Sequence, residues 1–216
     1  LLGRRLSLAN SDEWRFETTI SADSPAFLAQ HRIYGAAVVP AAAFIEMALA
    51  VGMALFDSSC LTIENLLLER ALILPKGEKK TLQVIVKPGE QEEASYEVFS
   101  LSDEGGKNLT WTRHVSGLIR KGARIHIGNQ VNVEQLQARC QQSFAAQAFY
   151  QACRERDFKY GQRFQGIREI WCGHDNVLTH VAAPEEFLTE LDEYFFHPAL
   201  LDACLHGITN FLFIDH

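Results

Sequence analysis

Two stretches of this chain are apolar on nearly every helical face, and much of the remaining pattern alternates with a period of two. The first stretch, Ala41 to Phe56, follows Pro40, and the second, Ala199 to Phe213, follows His197-Pro198. Proline suits the first turn of a helix, where its missing N–H costs nothing. A helix apolar around its circumference must be buried around nearly all of it. Around the first helix the pattern predicts strands over Trp14–Ile20, Thr62–Leu68, Leu82–Val86, Ala94–Leu101 and Asn108–Ile119. Lys76-Gly77, Pro88-Gly89 and Gly105-Gly106 mark turns between them. Ser24-Pro25 opens a short helical turn reaching Gln30, and His31 to Val39 reads as a loop running into a β-branched pair. One buried helix and an antiparallel meander make one α+β unit.

The order then starts again. Arg120 to Gln130 is basic, contains glycine and lacks periodicity, so it reads as a linker. Val133–Cys140 and Ala148–Asp157 read as short amphipathic helices, Gln165–Cys172 and Asn176–Ala182 as strands, and the second apolar helix closes the series. This repeat of organisation without repeat of sequence predicts an N-terminal lobe over 1–120, a linker over 121–130 and a C-terminal lobe over 131–216. A second lobe built like the first needs three or four more strands to cover its helix, so it is expected to be incomplete.

With 47% hydrophobic residues in 216, the chain can build a core without a metal or disulfide staple. Cys60, Cys140, Cys153, Cys172 and Cys204 are odd in number and form no CxxC pair, which suits reduced thiols and a cytoplasmic setting. The net charge of -7 argues against nucleic acid as the main partner. Arg154, Arg156, Lys159 and Arg163 read first as a solvated helix face and second as a contact for an acidic protein. Leu1 to Leu8 lacks the apolar run of a signal peptide. Ala36 to Phe56 is interrupted by Pro40, Glu46 and Gly52, and reads as a buried helix rather than a membrane span.

Three segments carry candidate chemistry. His31 to Pro40 has the form HxxxGxxxxP. Its histidine precedes a helix start, whose outward N–H groups carry partial positive charge and can hold a thioester oxygen as it becomes enolate-like. An imidazole of near-neutral pKa can take the α-proton. In the second segment Asp202 sits in an otherwise apolar helix, with His206 four residues on and on the same face. Burial would raise the Asp202 pKa and keep it protonated for a leaving hydroxyl, with His206 orienting it. A structural Asp–His pair or a solvent-facing stripe weighs equally on this segment alone. The third, Tyr160-Gly161-Gln162-Arg163-Phe164-Gln165-Gly166, is by itself a turn leading into a strand, able to put the Tyr160 phenol at a cleft mouth.

Together these segments resemble the HxxxGxxxxP, YGPxFQG and DxxxQ/H motifs of the dehydratase domains of modular type I polyketide synthases, in the same order and at similar separations. Leu1-Leu2-Gly3-Arg4 also resembles the usual start of that family. The resemblance implies an α+β double hotdog: two antiparallel sheets, each wrapped around a long helix. It implies elimination of water from a β-hydroxyacyl thioester held on the phosphopantetheine of an acyl-carrier protein, with no metal or other cofactor. His31 is then the general base and Asp202 the general acid, brought from different lobes to one cleft. His206 orients Asp202, and Tyr160 contacts the hydroxyl or Asp202. Gly35 and Pro40 shape the His31 loop, the Ala41 N–H meets the thioester carbonyl, and Phe164 and Gly166 line the substrate. Neighbouring synthase domains and a homodimer are the expected partners.

The sequence departs from the pattern at Ala41, where relatives carry glycine, at Gln162, where they carry proline, and in lacking an LPFxW-type strand. Pro40 and Asp202 are both present, which favours plain dehydration over the rivals on the same fold: oxa-Michael cyclisation, double-bond isomerisation, or a silent hotdog that only binds carrier protein. Cys172-Gly173-His174 has no matching partner set for a metal.

Overall fold

The structure, a computed structural model, describes residues 1–103, 109–122, 131–174 and 176–213. In chain order its strands and helices are β1 (Arg4–Leu6), β2 (Trp14–Ser21), β3 (His31–Ile33), β4 (Ala36–Val38), α1 (Ala41–Phe56), β5 (Leu61–Leu68), β6 (Ile73–Leu74), β7 (Lys79–Pro88), β8 (Glu93–Asp103) and β9 (Leu109–Lys121). They continue with α2 (Val133–Ala138), β10 (Gln142–Ala145), α3 (Ala146–Glu155), β11 (Phe158–Tyr160), β12 (Ile167–Cys172), β13 (Val177–Val181) and α4 (Pro198–Phe213). The chain divides into two compact units, Leu1–Ala29 with Ala36–Ile125, and Gln30–Gly35 with His126–His216.

In the first unit an antiparallel sheet runs in the order β1-β2-β7-β8-β9-β5, and α1 packs on β5 and β9. Leu82, Val84 and Val86 of β7 are buried opposite Ser100, Val98 and Tyr96 of β8, as period-two alternation requires of a sheet with one inner face. Each such fully buried Leu or Val contributes about 1.5–3 kcal/mol. A buried polar cluster on this sheet is satisfied. Arg70 O can only accept, so His114 Nδ1–H donates to it at 3.0 Å, and Nε2 accepts from the Ser100 hydroxyl at 2.7 Å. Burial holds the His114 pKa below its ordinary value.

The expected linker begins later than the charge pattern suggests. Arg120 and Lys121 continue β9, because Arg120 meets Glu64 and Glu93 while Lys121 meets Glu92, all as ion pairs. The rest of that segment, 123–130, and the Gly105-Gly106 turn lie outside the described residues.

In the second unit, Ala146, Phe149, Tyr150 and Cys153 form the buried stripe of α3, spaced as one face of a helix. They pack with Ile167 and Ile170 of β12, in a sheet of order β10-β12-β13. α4 packs on β12 and β13. Ile208 on α4 is 65% exposed.

The remaining strands of this unit differ from expectation. His31–Ile33 is a strand, paired antiparallel with Phe158–Tyr160, and neither was readable as one. That pairing sets the His31 segment with the second unit, whereas the sequence pattern assigns it to the lobe over 1–120. Among the described residues no helix is long and apolar enough to cross a membrane.

Candidate active site

Helix α4 positions Asp202. Its start is satisfied locally: Pro198 has no N–H, the Ala199 N–H donates to His197 Nδ1 at 3.2 Å, and His197 O accepts from Leu200 and Leu201. Asp202 follows one turn in, and both it and His206 are buried. The i,i+4 spacing brings Asp202 Oδ2 to 2.9 Å from His206 Nε2. The same oxygen lies 4.0 Å from His31 Nε2. One carboxyl oxygen is thus faced by two imidazoles, in a setting where only 7% of the His31 side chain is exposed.

The β3–β11 pair positions His31. His31 and Tyr160 are direct partners, so alternation puts both on one face, with Arg32 and Lys159 on the other. The His31 ring lies 5.5 Å from that of Tyr160 and 5.2 Å from that of Phe164, and Tyr160 lies 4.3 Å from His206. His31, Tyr160, Phe164, Asp202 and His206 are therefore brought together. Burial pushes the Tyr160 phenol well above its ordinary pKa, so it keeps its proton and can donate a hydrogen bond.

The turn after Tyr160 is held from two sides. The Gly161 N–H donates to Gln30 O at 2.8 Å, and the Arg163 N–H donates to Gln30 Oε1 at 3.0 Å. A Cβ on Gly161 would stand 2.7 Å from Gln30 Cβ. From below, the Tyr150 hydroxyl donates to Phe164 O and accepts from the Ile167 N–H, each at 3.1 Å. Gln162, in place of proline, opens a one-turn 3-10 helix over Gln162–Phe164. Arg163, expected on a solvated helix face, instead has its side chain only 15% exposed and paired with Glu190. Gly166 sits against α4, where a Cβ would come 2.9 Å from Ala203 Cβ, next to Asp202.

The other candidates are placed as follows. Tyr34 and Gly35 both have positive φ (50° and 80°), the conformation of a two-residue hairpin turn, and Gly35 is the position that needs glycine. Its carbonyl accepts from Arg32 Nη1 at 3.0 Å. Pro40 and Ala41 belong to the first unit. Pro40 is the N-cap of α1 and offers no side chain to its first-turn N–H groups, of which Ala41 supplies the first. The sequence pattern did not single out Gln30, Tyr150, Glu190 or His197. Tyr150 reads as core and His197 as a helix opener, while Gln30 and Glu190 carry no local signal.

Known proteins match both halves of the chain. The family described as "Polyketide synthase dehydratase domain" matches residues 1–101, and "Polyketide synthase dehydratase N-terminal domain" matches residues 129–211. The dehydratase domain from the CurF module of the curacin polyketide synthase is 32% identical over 96% of this chain and 74% of that one, with a TM-score of 0.89. The curacin CurK dehydratase, in an aspartate-to-asparagine form named inactive, is 32% identical over 98% of this chain and 75% of that one, also with a TM-score of 0.89. Polyketide synthase GfsA of Streptomyces halstedii is 30% identical over 96% of this chain, which spans only 3% of that protein. This chain belongs to the polyketide synthase dehydratase domain family, and its fold is the double hotdog of those domains. Such domains serve dehydration in polyketide synthesis as parts of multidomain synthases.

Proposed function

We propose that this domain removes water from a β-hydroxyacyl thioester carried by the phosphopantetheine of an acyl-carrier protein, giving the α,β-unsaturated thioester. His31 Nε2 takes the proton from Cα. The electrons of that C–H bond form the Cα–Cβ double bond as the Cβ–O bond breaks. Asp202 gives its proton to the departing oxygen, and water leaves. His206 holds the Asp202 carboxyl, and the Tyr160 phenol donates to the hydroxyl or to Asp202. Chemistry of this kind is proton transfer between positioned groups and needs no redox partner.

The observation that carries this reading is the 4.0 Å separation of His31 Nε2 from Asp202 Oδ2, with both residues buried. Groups that close address substituents on neighbouring carbons from one side and cannot straddle the bond, so the elimination is syn. The curacin CurK dehydratase gives further support, since an aspartate-to-asparagine form and a histidine-to-phenylalanine form of it are each named inactive.

The test is turnover of a β-hydroxyacyl carrier-protein substrate by the wild type, His31→Ala and Asp202→Asn. The wild type dehydrates, and each variant loses about a hundredfold or more in kcat. Proton NMR of the released product reads the vinyl signals and separates the plain alkene from an isomerised or cyclised product. Full turnover in either variant, or carrier binding without any turnover by the wild type, overturns the assignment.

A further inference from the structure

Outside the reacting groups, the second unit contains an ion pair that touches every segment of the site. Arg163 Nη1 donates to both oxygens of Glu190, at 2.8 and 2.7 Å. Glu190 Oε2 also lies 3.8 Å from His197 Nε2. The His197 ring is stacked on Phe187 at 4.2 Å and 9°, and meets the edge of Tyr194 at 4.8 Å. Phe187 and Glu190 both come from the 3-10 segment Glu185–Glu193. His197 in turn accepts from the Ala199 N–H and so sets the start of the helix carrying Asp202. At its other end Arg163 lies in the turn that follows Tyr160, and its backbone N–H is held by Gln30, the residue before His31.

We propose that Glu190 is a positioning residue: its carboxylate braces the Tyr160 turn and the His31 strand, through Arg163, against the start of the Asp202 helix, through His197. This rests on the dehydratase reading for its catalytic consequence, but the brace itself is a matter of geometry. An exposed ion pair is worth little. This one is partly sheltered, because the Arg163 side chain is 15% and that of Glu190 30% exposed, and the neighbouring His197 ring is buried. Removing the carboxylate leaves a largely buried guanidinium without its partner and lets the two sides of the site move independently. Small displacements of reacting groups are costly, so the effect falls on kcat rather than on binding.

The experiment compares wild type, Glu190→Ala and Glu190→Gln in the same chain. The first readout is kcat and KM with the carrier-linked substrate. The second is independent of turnover: imidazole nitrogen NMR shifts of His31 and His206, assigned among the eight histidines. Glu190→Ala lowers kcat by about tenfold to a hundredfold, leaves KM within about twofold, and moves both imidazole signals. Glu190→Gln, which keeps an acceptor for Arg163, restores most of each. If the wild type proves inactive but Glu190→Ala still moves the two signals, the brace stands and the dehydratase reading falls. Unmoved signals, or wild-type kcat in Glu190→Ala, overturn the brace. Should Glu190→Ala not fold, His197→Asn, which retains an acceptor for the Ala199 N–H, carries the same two readouts with the same deciding outcomes.

Discussion

Tyr160 and His31 are backbone partners across β11 and β3, and their rings lie 5.5 Å apart on the face that also meets His206. The pairing makes the phenol a fixed neighbour of the proposed base rather than a side chain at a mobile rim. Four consequences are open to measurement.

Tyr160→Phe removes a donor that stays protonated at every working pH, since burial pushes its pKa up. The expected loss in kcat is about a hundredfold, as for other single donors aimed at a reacting oxygen. The pH at which each limb of the rate profile bends stays where it is in the wild type, because the phenol does not titrate there. A pH–rate profile of both proteins decides it.

Tyr150→Phe leaves Phe164 O and the Ile167 N–H, both buried, without the hydroxyl that joins them. Orphaned backbone groups of this kind cost about 1–3 kcal/mol, read by urea unfolding at neutral pH. Activity falls further than stability does, because Phe164 packs on His31.

Gly166→Ala drives a methyl to 2.9 Å from Ala203 Cβ, with Val181 Cγ1 and Ala182 O both at 3.3 Å. Overpacking of this size costs about 1–3 kcal/mol and displaces the neighbour of Asp202. Adding Ala203→Gly removes the colliding methyl, so the double variant recovers part of both stability and turnover. A double variant no better than Gly166→Ala would place the strain elsewhere.

His197 is held neutral by burial, its pKa lowered to about 4 from an ordinary 6.5. The unfolded chain takes up this proton as the pH falls through 6.5, while the folded chain resists until about 4. The contribution to stability is therefore complete above 6.5 and is lost as the pH drops toward 4, amounting to about 3 kcal/mol. Urea unfolding at pH 7 and pH 4.5 measures it. The loss between the two is smaller in His197→Asn by that order.

Much of this architecture is legible in the residues. β7 and β8 alternate because one face is buried, and α3 shows its stripe because four positions share one helical face. Asp202 and His206 are readable as a pair from spacing alone. What stays hidden is long-range. The three residues of β3 include the charged Arg32 and show no period, and their strand partner Phe158–Tyr160 lies far along the chain. The basic residues at the end of β9 resemble a linker until their acidic cross-strand partners are known. No local pattern shows that His31 approaches Asp202; that expectation came from the order of three motifs. Nor does any pattern mark Glu190, whose partners come from two other segments.

The Arg163 N–H reaches a glutamine side chain 133 residues earlier. Closing so large a loop is entropically slow and must be repaid by contacts made afterwards. A ribosome-bound chain carries its imidazole at position 31 well before the partner Tyr160 has been made. The His31–Tyr160 pairing therefore cannot form until Phe158–Tyr160 has been made, long after the imidazole at position 31.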